Sequence, residues 1–242
     1  MARENGPPGP SPDPMLERTR GASLISAAYR TRFILVSPVL VVVLGHFAAQ
    51  LFTGFLGRWA WVGVFPVYWG SMLGIVAVCG GAARLGSWFS RPRGSRWWLV
   101  LAIAVGLIAF PLLLLPNIQV MTSLPLVAAW LAFAVINAIC EEVYWRGFLL
   151  DETGHLPRVF GVAYSGILFV AVHPFVLGVF SHQMAFDSAR PFGLTPFIIV
   201  LVVVSVVWSL LYLRTRSLRW PTLSHFLTDL GNLSIFVFMN IV

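Results

Sequence analysis

The sequence contains no lysine. Its 16 basic residues are all arginine, and only 9 acidic residues accompany them. Charged side chains amount to 10% of the 242 residues, against roughly 25% in a soluble domain. That shortage excludes an ordinary cytosolic enzyme and a charge-rich disordered chain. Cysteine is scarcer still. Cys79 and Cys140 are the whole supply, and each lies inside an apolar run, so a disulfide framework is excluded and both thiols read as inert and buried. Also missing are a Gly-x-Ser-x-Gly nucleophile elbow, a His-Glu-x-x-His zinc helix and a glycine-rich phosphate loop. No internal repeat or second domain is evident.

What is abundant is apolar. Hydrophobic residues make up 58% of the chain, with 10 Trp and 19 Phe, and the mean hydropathy is +0.85. A soluble fold buries only about three quarters of its unfolded surface, too little to hide this load, so the bilayer must be the solvent for most of the chain. The expected fold class is all-α: a polytopic integral membrane helix bundle of about seven spans, six to eight. The apolar runs are about Phe33–Phe55, Trp59–Ala83, Trp97–Leu115, Leu124–Trp145, Val159–Phe180, Leu194–Leu213 and Pro221–Val242. Pro174 falls inside the fifth and predicts a kink. Residues 1–32 are polar and rich in Pro and Gly and read as a disordered cytoplasmic tail, leaving 33–242 as one transmembrane domain. The first apolar run starts too late and runs too long for a secretory signal.

The net charge of +7 does not point to nucleic acid, because the arginines cluster between apolar runs. Arg18, Arg20, Arg30 and Arg32 precede the first. Arg84, Arg91, Arg93 and Arg96 lie between the second and third, Arg146 and Arg158 follow the fourth, and Arg214, Arg216 and Arg219 lie between the sixth and seventh. The alternate loops hold little charge. The positive-inside rule then predicts a cytoplasmic N-terminus and an external C-terminus.

Ionisable groups inside hydrocarbon are costly, roughly 2.5–3.5 kcal/mol each near a helix centre, and are functional candidates for that reason. They are Glu141, Glu142, Arg146, His173, His225 and Asp229, with His46 apart from them in the first run. Glu142 and Arg146 are spaced i, i+4 with the acid first, the favourable order for an ion pair. Glu141 points about 100° away and is left without a partner, as suits a general base. Read alone, the two acids could equally mark the membrane interface. His173 could be a histidine hydrogen-bonded within the bundle. His225 and Asp229, also i, i+4, could be a self-satisfied pair holding helices together. His46, with no acid at helical spacing, reads as structural. Together the three clusters form a plausible water-activating site. One difficulty is depth: at 1.5 Å per residue His173 lies about 22 Å beyond Arg158, and His225 only about 6 Å beyond Arg219–Pro221. A tilt or the kink at Pro174 would have to reconcile them.

The ordered triple Glu-Glu-x-x-x-Arg (Glu141–Arg146), Phe-x-x-x-His (Phe169–His173) and His-x-x-x-Asp (His225–Asp229) resembles the CPBP family. That family comprises the type II CAAX prenyl proteases and their bacteriocin-processing or self-immunity (ABI) relatives. The resemblance covers about Val135–Val242. It implies an intramembrane glutamic endopeptidase of a cell membrane, bacterial in the readiest case, with no cofactor and no metal. Its partners would be the bilayer and a membrane-embedded or lipidated protein substrate, not nucleic acid. By the resemblance Glu141 activates water, His173 helps bind it, and His225 and Asp229 stabilise the oxyanion, with Glu142, Arg146 and Phe169 supporting. The family commonly has Asn where this chain has Asp229. An ionised Asp229 cannot donate to an oxyanion, so it must be protonated or act by orienting His225. Two other readings stand beside this one. The same imidazoles and carboxylates could ligate zinc in a metalloprotease, or the chain could be a non-enzymatic immunity or scaffold protein.

Overall fold

A computed structural model describes residues 14–173 and 194–238. Every element among them is helical. Five helical stretches are long and apolar enough to cross a membrane: Tyr29–Trp59, Trp61–Val78, Trp97–Val120, Leu124–Glu152 and Ile198–Thr215. The chain is therefore an integral membrane helix bundle. Two of the expected runs are carried by shorter helices, Arg158–Val172 and Arg219–Gly231.

Helix α1 (Pro14–Leu56) starts well before the apolar run at Phe33. Proline is favoured at the first position of a helix, and no other proline follows until Pro38. Residues 1–13 of the expected tail lie outside the described residues. Pro38 cannot donate to the carbonyl of Ile34; the buried Ser37 hydroxyl donates to it instead, at 2.9 Å. This is how an apolar span tolerates an internal proline. Helix α2 (Trp61–Val78) ends where Gly80 takes φ 74°, the left-handed stop that glycine adopts without strain. The short α3 (Leu85–Trp88) leads to α4 (Trp97–Gly106), which continues through a π turn and a 3-10 stretch to Val120.

The central element is α5 (Leu124–Glu142), a π turn (Val143–Phe148) and α6 (Leu149–Glu152) in one continuous rod. Every residue from Cys140 to Leu150 is buried, so this rod runs through the middle of the bundle. Around it stand α7 (Arg158–Val172), α8 (Leu194–Thr215) and α9 (Arg219–Gly231). A Cβ on Gly106 would lie 2.7 Å from Leu227 Cβ and from Ser224 O, and one on Gly231 would lie 2.9 Å from Ala109 Cβ. Those two glycines let α4 and α9 meet backbone to backbone, the small-residue packing that membrane helices favour.

The seventh apolar run is not one helix. After Gly231 the chain turns through Asn232 and Leu233, the latter at φ 55°, before the short α10 (Ser234–Phe238). Asn232 Oδ1 accepts from Ser234 N at 3.0 Å and stabilises the break. The expected kink at Pro174, the rest of the fifth run to Phe180 and residues 239–242 lie outside the described residues. Both cysteines are free and buried. His46 Nε2 approaches the Ala171 carbonyl at 3.4 Å and joins α1 to α7.

At the arginine-rich end, Asp151 and Glu152 gather donors from four other elements. Arg30 reaches Glu152 at 2.9 and 3.0 Å, and also the Cys79 carbonyl at 2.9 Å. Arg84 reaches Glu152 at 2.5 Å. Trp88 Nε1 donates to Asp151 at 2.8 Å and the Tyr212 hydroxyl at 2.7 Å. This clasp ties α1, the turn after α2, α3 and α8 to the end of the central rod.

Candidate active site

The polar residues of α5, the π turn, α8 and α9 converge inside the bundle. Glu142 and Arg146 are fully buried, and Glu141 is 3% exposed. A buried charge survives only when paired and hydrogen-bonded. Glu142 Oε1 accepts from Arg146 Nη1 at 3.0 Å, the i, i+4 ion pair that the spacing predicts. Arg146 Nη2 donates to Ser205 Oγ on α8 at 3.2 Å, and its guanidinium lies 4.3 Å from the Phe169 ring centre. Cation–π contact of this kind is worth more once desolvated.

His225 is held from two sides. Its ring stacks on Trp208 at 4.1 Å between centroids and 16° between planes. Its Nδ1 lies 2.8 Å from Glu142 Oε1. A carboxylate accepts, so Nδ1 carries the proton there. The local partner Asp229 is farther away, with 3.6 Å between Oδ2 and Nε2. The i, i+4 pair is thus looser than the bond to Glu142, which no helical spacing could indicate. Nε2 also faces Glu141 Oε2 at 3.7 Å. Neither distance is a hydrogen bond, and Glu141 Oε2 has no hydrogen-bond partner among the described residues. The free edge of the imidazole therefore opens between two carboxylates. Three carboxylates stand here against one guanidinium, so protonation of His225 brings the cluster closer to neutrality.

His173, the residue after α7, does not touch this group. Its Nδ1 donates to the Phe169 carbonyl at 2.6 Å, which leaves Nε2 as the unprotonated, accepting nitrogen of a neutral ring. Phe169 stands between the histidines, 4.5 Å from the His173 ring and 6.4 Å from the His225 ring. The two imidazoles flank one aromatic ring, so the difference in depth along their helices does not have to vanish.

Several neighbours escaped the sequence reading. Asn137 Nδ2 donates to Asp229 Oδ2 at 3.0 Å, and Asn137 Oδ1 accepts from Trp69 Nε1 at 2.9 Å. Tyr68 on α2 shares a hydrogen bond with Glu141 and accepts from Trp145 Nε1 at 3.4 Å. Ser205 and Trp208 complete the set. Asn137 did carry a signal: it is an amide one helical turn before Glu141 inside an apolar span. Tyr68 and Trp69 carried none in so aromatic a sequence. No group of three or more His, Cys, Asp or Glu arranged to hold a metal occurs among the described residues.

Residues 122–231 match the family model of the type II CAAX prenyl endopeptidases, Rce1-like. That match supports the CPBP/CAAX protease family for this chain. It supports, in general terms, a membrane peptide hydrolase of the CAAX protease type. The matched segment runs from the start of the central rod to the end of α9 and holds most of the cluster. No curated protein and no solved structure matches the chain.

Proposed function

We propose that this CAAX-type protease hydrolyses a peptide bond near the membrane end of a membrane-embedded or lipidated protein, using water activated by Glu141. The observation that carries the reading is the free, buried Oε2 of Glu141, 3.7 Å from His225 Nε2. Glu141 takes a proton from water, and the resulting hydroxide attacks the scissile carbonyl. A neutral His173, with Nε2 free to accept, holds the water. Protonated on both nitrogens, His225 donates Nδ1–H to Glu142 and Nε2–H to the oxyanion, an effect of roughly 2.7–4 kcal/mol per donor in other hydrolases. Glu142 and Arg146 fix the ring. Asp229, held by Asn137, orients the Nε2 edge. Collapse of the tetrahedral intermediate returns the proton from Glu141 to the leaving amine. By the distribution of arginines, the N-terminus and the clasp face the cytoplasm.

The test compares membranes of cells carrying the intact protein with those carrying Glu141→Gln at equal abundance, mapping new protein termini. Loss of a general base costs roughly 10²–10⁴-fold in rate, so termini made by this enzyme should vanish. Cleavage that persists in folded Glu141→Gln protein would sink the assignment. Activity abolished by EDTA and restored by zinc would replace it with a metalloprotease.

A further inference from the structure

We propose that the groove between α7 and α8 is a binding site for one anionic phospholipid of the arginine-rich leaflet. The groove has a volume of about 720 Å³. Its walls are Val159, Val162 and Ile167 of α7 and Val202, Val206 and Leu210 of α8. Its lining residues extend from Arg158 to Val170 on one helix and from Val202 to Arg214 on the other. At 1.5 Å per residue that is about 18 Å, close to half of the roughly 30 Å hydrocarbon core. The groove is one leaflet deep.

Its two ends differ. Arg158 opens α7 and Arg214 stands in the last turn of α8, so antiparallel packing brings both to the same end of the groove. Both are exposed, and neither has a hydrogen bond or ion pair among the described residues. The nearby acids Asp151 and Glu152 are already engaged by Arg30, Arg84, Trp88 and Tyr212. Two unneutralised guanidinium groups above an apolar slot complement a phosphate above an acyl chain. Basic pockets between helices on the positive side of a membrane recognise such headgroups. A soluble anion would have no use for the slot, and a neutral lipid none for the arginines. The buried Ser205 in the lining accepts from Arg146, which donates on to Glu142, so the groove lies two hydrogen bonds from the Glu142–His225 pair. The proposal is about binding and stands independently of the proteolytic reading.

The full chain, purified in a neutral detergent and stripped of lipid, would be titrated with dioleoyl phosphatidylglycerol and then with phosphatidylcholine, with bound lipid counted by native mass spectrometry. Wild type should take up one phosphatidylglycerol in preference to phosphatidylcholine. The double variant Arg158→Gln, Arg214→Gln should bind it roughly 30-fold more weakly, the share expected of two arginines at an anionic surface. Both side chains are exposed, so an unchanged melting temperature will show that the variant is folded. A second variant, Ala163→Trp, fills the slot and leaves the charges; it should also lose the lipid. Equal uptake of the two lipids, or unchanged binding in either folded variant, would overturn the proposal. Displacement by glycerol phosphate alone would overturn it too, by removing the slot from the site. Stronger competition from a prenylated peptide with a free carboxylate would reassign the groove to substrate.

Discussion

Removing Arg146 alone should damage this protein more than removing Arg146 and the charge of Glu142 together. Arg146 is fully buried and makes an ion pair at 3.0 Å, a hydrogen bond at 3.2 Å and a ring contact at 4.3 Å. In Arg146→Met the apolar side chain refills much of the volume, but Glu142 keeps its charge. Its Oε2 has no partner among the described residues even in the intact protein, so only His225 would remain to compensate it. Breaking a buried pair from one side costs about 3–5 kcal/mol, a large part of a total stability of about 5–15 kcal/mol. At zero exposure solvent does not screen this pair. In the double variant Glu142→Gln, Arg146→Met the stranded charge is gone, and the amide oxygen can still accept from His225 Nδ1. It should recover to within about 2 kcal/mol of wild type. Reversible unfolding in mixed micelles, followed by tryptophan fluorescence, would give all four corners of the cycle. A coupling of 2 kcal/mol or more is expected. If Arg146→Met costs less than about 1 kcal/mol, or the two changes simply add, the pair is hydrated and the buried geometry is refuted.

Three further outcomes follow from the same geometry. Asn137→Leu leaves Asp229 and Trp69 Nε1 without their partner; stability should fall by about 1–3 kcal/mol, and kcat should fall more than KM changes, because the Nε2 edge of His225 loses its support. Tyr68→Phe removes one hydrogen bond to Glu141 and should cost about 1 kcal/mol with slower proteolysis but unchanged substrate binding, measured by single-turnover and competition assays. Burial pushes the Cys79 thiol above its ordinary range, so less of it is thiolate at any pH near neutral. Maleimide should label native protein slowly at pH 7 and two thiols rapidly after unfolding in dodecyl sulfate; fast labelling of the native protein would contradict the packing around Cys79.

The groups most legible in the sequence were those the membrane punishes. Glu141, Glu142, Arg146, His173, His225 and Asp229 stood out because charge in hydrocarbon needs a reason. Spacing then predicted the Glu142–Arg146 pair, which is local to one helix. Contacts between helices were less legible. The short bond from His225 to Glu142 spans 83 positions, and the one from Asn137 to Asp229 spans 92; no periodicity encodes either. Asp151 and Glu152 passed unremarked because acids at a helix end are ordinary, and only their convergence with Arg30 and Arg84 gives them a purpose. The run from Pro221 onward reads as one span by its length, although His225, Asp229 and Asn232 interrupt its apolar character. The stop at Gly231–Asn232 is a short-range signal that such a run masks. Hydropathy measures how long a segment is apolar, not whether its backbone stays straight.

The π turn at Val143–Phe148 lies between the glutamates and the clasp at Asp151 and Glu152. A π turn holds one residue more than the α-helical path it replaces, and each residue turns a helix by about 100°. That extra residue is a phase setting between two jobs on one rod. It lets Glu141 and Glu142 face His225 while the acids nearly three turns later face Arg30, Arg84 and Tyr212. Deleting any one residue from the turn would straighten the rod into a better helix and leave its two ends about 100° out of step. The site and its anchorage would then compete for the same helix, and only one could be correctly aimed.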